Sequence, residues 1–117
     1  MNVKLKIYFT DENGSQFMGI GVYWLLIGIK KYGSIRRAAE EMKLSYVKAL
    51  GMLNNLEDSL NRKVLIRKKG GDAREGTSLT PSGENLIKRY DAYQEKIKSF
   101  AEKEFAGLRK EFDTDIY

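Results

Sequence analysis

A mainly α-helical fold with a small amount of β-structure is predicted by three features of the 117-residue sequence. Apolar residues recur at helical spacing through residues 20–60, a second helical pattern runs without a break over residues 81–112, and the strand-like stretches between them are short. One domain with a modest single core accounts for a chain of this length.

The elements follow in order. Residues 3–9, Val-Lys-Leu-Lys-Ile-Tyr-Phe, alternate and predict a half-buried strand. Asp11-Glu12-Asn13-Gly14 signals a turn, and Gln16-Phe17-Met18 predicts the returning strand of an N-terminal β-hairpin. From Ile20 to Tyr32, Ile20, Tyr23, Trp24 and Ile27 predict a helix packed around much of its circumference, with Trp24 in the core. Gly33-Ser34 ends this helix and caps the next, which runs to Met42 with Ile35, Ala38, Ala39 and Met42 facing inward. The two alanines permit close approach of a neighbouring helix.

Ser45 caps a third helix reaching about Leu60, with Val47, Leu50, Leu53, Leu56 and Leu60 at helical spacing. Gly51 inside it costs about 1 kcal/mol relative to alanine. A close approach to the preceding helix or to a ligand surface would account for it, and the sequence leaves both open. Residues 64–67 and 77–80 predict two strands joined by a glycine-containing loop, a second hairpin with a long tip. Thr80-Pro81 starts the last helix, threonine as cap and proline at the first helical position. At ~1.5 Å per residue, a helix from Pro81 to Phe112 would be roughly 48 Å long, more than a core of this size can cover. A second copy of the same helix is the simplest partner, so a homodimer is expected, with residues 1–80 forming the globular part and 81–117 the dimerisation helix.

Charge points to an anionic partner. The net charge is +5, and residues 1–83 hold fourteen basic and eight acidic side chains against seven and eight in residues 84–117. A helix N-terminus carries partial positive charge and favours acidic residues, yet Arg36 and Arg37 occupy the first turn after Ser34 and Lys48 the first turn after Ser45. Breaking this rule twice within one helix-turn-helix fits an external phosphate meeting both helix starts. The segment from Arg62 to Arg74 adds six cations against one acid, placing a basic wing beside those helices. The fold is therefore a winged helix-turn-helix, and the expected partner is double-stranded DNA.

Other classes find little support. The chain has no cysteine and no histidine, so disulfides, thiolate or imidazole metal sites and the commonest general base are absent. No paired carboxylates, phosphate-cradling glycine loop or ligand cluster points to an enzyme, a cofactor or a metal. No apolar run approaches the ~20 residues of a membrane span, which predicts a cytoplasmic protein without membrane contact. A winged-helix module that binds another protein is the alternative, with Tyr23, Tyr32, Tyr90 and Tyr93 as aromatic anchors.

The order Gly33-Ser34, Ala38-Ala39, Leu44-Ser45, Leu56-Glu57, Leu60, Leu65, Arg67 and Leu79-Thr80-Pro81-Ser82-Gly83 resembles the winged helix-turn-helix of LysR-type regulators. The turn at Asp11-Glu12-Asn13-Gly14, Ser45-Tyr46 followed by Lys48-Ala49, Asn54 through Leu56, and Gly70-Gly71 resemble more closely the DNA-binding domain of molybdate-responsive ModE regulators. This resemblance spans residues 3–95 and implies a dimeric transcription factor whose third helix enters the major groove. It places Ser45, Tyr46 and Lys48 at the start of the recognition helix. Ser34, Arg36 and Arg37 fall where the preceding helix faces the DNA backbone, and Lys68, Lys69 and Arg74 in the wing. ModE regulators bind molybdate in further C-terminal domains, and the chain ends about where those would begin. A stand-alone DNA-binding regulator is expected, with any small-molecule or protein effector unidentified. The wing departs from the ModE pattern in holding Asp72-Ala73-Arg74-Glu75.

Overall fold

The computed structural model describes residues 2–68 and 76–113. Strand β1 (Phe9–Thr10) pairs antiparallel with β2 (Gln16–Met18). Three helices follow, α1 (Ile20–Tyr32), α2 (Ile35–Glu41) and α3 (Tyr46–Leu60). Strands β3 (Leu65–Arg67) and β4 (Thr77–Leu79) form the second antiparallel pair, with Leu65 opposite Leu79 and Arg67 opposite Thr77. The last helix, α4, runs from Pro81 to Phe112.

The expected start and stop signals are where they act. The Ser34, Ser45 and Thr80 hydroxyls accept from the Arg37, Lys48 and Gly83 amides at 3.1, 3.1 and 3.0 Å. Gly33 closes α1 at φ 69°, its amide donating to the Ile29 carbonyl. The tight turn between α2 and α3 is a Schellman motif: the Leu44 and Lys43 amides donate to the Ala39 and Glu40 carbonyls, and Lys43 adopts φ 57°. The turn in the first hairpin is built by Asp11, whose carboxylate accepts from the Asn13 and Ser15 amides.

One core joins these elements. Val22, Leu25, Leu26 and Ile29 of α1 pack with Ile35, Ala38 and Ala39 of α2, Ala49, Leu53 and Leu56 of α3, and Ile87 and Tyr90 of α4. The expected close approach of α2 is met from α1 by Gly28, where an added Cβ would lie 2.9 Å from the Ala38 Cβ. The Glu57 carboxylate ties α3 to the second hairpin by accepting from the Val64 and Leu65 amides at 2.8 and 3.2 Å.

Two expectations are corrected. Trp24 is not in the core; it is 60% exposed, because the buried stripe of α1 is Val22, Leu25, Leu26 and Ile29. Residues 3–8 are not a strand, since only Phe9 and Thr10 pair with β2. The preceding residues lie along α4 instead, where Tyr90 donates to the Ile7 carbonyl at 2.8 Å. Val3 and Ile7 line a hollow with Gln94 and Lys98, and Asn2 and Val3 another with Phe105 and Arg109. The core of α4 ends at Tyr90, and Tyr93 and Phe100 beyond it are 48 and 64% exposed, so the helix overhangs the core as its length implies. Burial raises the Tyr90 phenol above its ordinary range. Burial also raises that of Tyr23, with help from the charge of Asp91 and a hydrogen bond to it.

Candidate nucleic-acid interface

The starts of α2 and α3 meet the second hairpin on one side of the domain. The Thr77 amide donates to the Gly33 carbonyl at 3.1 Å, pinning β4 to the junction between α1 and α2. The Lys68 amide donates to the Gly76 carbonyl at 2.7 Å, holding the last described residues of the wing together. These bonds enclose an open cleft of 230 Å³ lined by Ser34, Ile35, Arg36, Tyr46, Arg67, Lys68, Gly76 and Thr77.

The cleft gathers four of the residues singled out from sequence, Ser34, Arg36, Tyr46 and Lys68. Ser34 itself is buried, and its hydroxyl is engaged in capping α2. Arg36 spans the turn, its guanidinium 4.8 Å from the centroid of the Tyr46 ring. Arg37 points to Tyr32 instead, 4.6 Å from that ring, with the Lys31 ammonium 5.2 Å from it. Neither α2 nor α3 has an acidic residue in its first turn. Among the described residues the two arginines are therefore partly compensated by aromatic faces rather than carboxylates, leaving their N–H edges for a further acceptor. Ser45 and Lys48 lie on the exposed first turn of α3, just beyond the cleft lining. Lys69 and Arg74 lie outside the described residues.

Sequence reasoning passed over Arg67 as a site residue. It projects from the end of β3 into the same cleft as Arg36 and Lys68, and its place in the run of six cations was the available signal. Gly51 is also resolved: nothing lies within 4 Å of where its Cβ would be, so helix packing does not explain it.

Three cations around two helix N-termini form a surface for extended polyanions. Among the described residues no cluster of histidine, cysteine, aspartate or glutamate could hold a metal ion, and no helix is long and apolar enough to cross a membrane.

Two helices joined by a tight turn, with a β-hairpin wing beside the second, define a winged helix-turn-helix domain of the kind found in transcription regulators. The chain belongs to the lysR family of bacterial regulatory helix-turn-helix proteins, whose profile matches residues 25–84. It is 39% identical over 77 residues to the molybdenum-pterin-binding protein MopB of Rhodobacter capsulatus, covering 66% of this chain and 28% of that protein. It is 32% identical over 75 residues to the molybdenum transport protein ModE of Azotobacter vinelandii, covering 64% of this chain and 28% of that one. The transcriptional regulator ModE of Haemophilus influenzae is 39% identical over 67 residues, 57% of this chain and 26% of its own length. The chain thus spans roughly a quarter of the length of these relatives. Its fold matches the crystal structure of the BenM_DBD/catB site 1 DNA complex with a TM-score of 0.56, over 86% of this chain and all of that one, at 14% identity.

Proposed function

We propose that this protein is a dimeric, sequence-specific DNA-binding regulator of transcription. The observation that supports the reading most strongly is the cleft where Arg36, Arg67 and Lys68 surround the N-terminal ends of α2 and α3. In this reading α3 enters the major groove, with Tyr46 and Lys48 against base edges or the flanking phosphates. Arg36, Arg37, Arg67, Lys68, Lys69 and Arg74 bind phosphates and set register. Ser34 and Ser45 hold the two helix starts in place.

Dimerisation is supported by apolar surface that this chain leaves exposed. Ile20, Trp24 and Ile27 form a stripe on α1, and Tyr93, Ile97 and Phe100 another on α4, each between 37 and 64% exposed. Two copies joined there would present two recognition helices to successive major grooves about 34–36 Å apart. An effector, small molecule or protein, would act on that pairing.

The exposed Trp24 also favours a second reading, a winged helix that docks another protein and does not bind DNA specifically. Titrating labelled duplexes at low and physiological salt separates the two. The regulator reading expects affinity for any duplex at low salt, falling steeply as salt rises, with one sequence held more tightly. Absence of duplex binding at low salt would leave only the second reading.

A further inference from the structure

The solvent face of α3 breaks two rules of helix composition at neighbouring positions. Val47, the second residue of the helix, is 78% exposed, while the opposite side buries Ala49, Leu53 and Leu56. A β-branched apolar side chain in water gives a helix neither propensity nor burial. One turn further on, Gly51 is exposed and has open space at its Cβ position. Both positions lie on one face, four residues apart. Among the described residues neither position packs against the rest of the chain, and Val47 follows directly on Ser45 and Tyr46 at the helix start.

We infer that Val47 is a specificity-determining residue that packs on the C5-methyl group of a thymine in the major groove, with Gly51 allowing the helix backbone to sit close to the groove floor. This rests on the proposal that α3 is the recognition helix. Valine has no donor or acceptor, so it can distinguish bases only by apolar contact. Among the four bases, thymine alone presents a methyl group in the major groove. A bare glycine one turn later removes the side chain that would hold the helix away. Lys48, next along the helix, is placed to reach a phosphate or base edge beside the same thymine.

The test uses the preferred duplex selected from a random pool, with each thymine replaced in turn by deoxyuridine. That change deletes the methyl and keeps the base pair and the O4 acceptor. The expected result is one thymine per half-site at which uracil weakens the unmodified protein about fourfold, the worth of one buried methyl. Val47→Ala should abolish that difference while preserving binding to the uracil duplex. Gly51→Ala has room within the chain, so it should raise Tm by about 4 °C yet weaken binding to the selected duplex at least tenfold. If uracil is neutral at every thymine, or weakens Val47→Ala equally, the inference is overturned while the regulator reading stands. Undiminished binding by Gly51→Ala would overturn the close approach in the same way. Failure to bind any duplex would overturn the regulator reading and this inference together.

Discussion

The guanidinium of Arg36 sits 4.8 Å from the centre of the Tyr46 ring, joining the first turn of α2 to the first residue of α3. The contact bridges the two helix starts, and it gives a cation a partner where the helix dipole would otherwise disfavour it. It also places Tyr46 and Arg36 in the same cleft as Arg67 and Lys68.

Because the two side chains share one contact, their replacement should be non-additive. Arg36→Ala and Tyr46→Ala, singly and together, are expected to show a coupling of about 0.5–1 kcal/mol in duplex affinity. Binding isotherms for the four proteins measure it, and purely additive losses would mean the pair is not held as a unit on DNA.

Lys48 and Lys68 should separate reading from gripping. Lys48→Ala is expected to cost about 1–3 kcal/mol on the preferred duplex and little on others. Lys68→Ala should weaken all duplexes alike and reduce the slope of log affinity against log salt by roughly one. Titrations of preferred and scrambled duplexes at several salt concentrations distinguish the two patterns.

Gly83 has a packing reason that composition does not reveal. It lies buried in the first turn of α4, where an added Cβ would collide with the Val64 carbonyl. Gly83→Ala should therefore destabilise the fold by about 2 kcal/mol or more despite alanine's better helix propensity, as read from chemical denaturation.

Tyr90 predicts an alkaline sensitivity. Its phenol is raised by burial and donates to the Ile7 carbonyl, so the folded chain holds that proton more tightly than the unfolded chain does. The stability it contributes is intact below the ordinary tyrosine value near 10 and is lost as pH rises through the higher folded value. Tyr90→Phe should be less stable at neutral pH by about 1 kcal/mol, the worth of the lost hydrogen bond, and should lose less stability between pH 9 and 11. Equal alkaline losses in both proteins would contradict this assignment.

Much of the fold was legible because local chemistry decides it. Ser34, Ser45 and Thr80 cap helices by hydrogen bonds within three residues, and Gly33 and Asp11 build their turns with near neighbours. The misses depend on distant partners. Trp24 shares the period of a core residue, and only the positions of α2 and α4 decide which stripe of α1 is buried. Residues 3–8 alternate like a strand, but Tyr90, far along the chain, holds the segment against α4. At the candidate site, Arg36 was legible from charge against helix polarity, Lys68 from the run of cations and Tyr46 from the family resemblance, whereas Arg67, in that same run, was brought to the cleft only by the fold. Gly51 stayed ambiguous until its surroundings proved open.

Selection of bound sites from random duplex DNA, with the number of chains per duplex measured on the selected site, tests the central claim most directly. The account predicts an enriched inverted repeat whose half-sites are one helical turn apart, about 34–36 Å, bound by two chains. A pool that yields no enriched sequence after repeated rounds would contradict it.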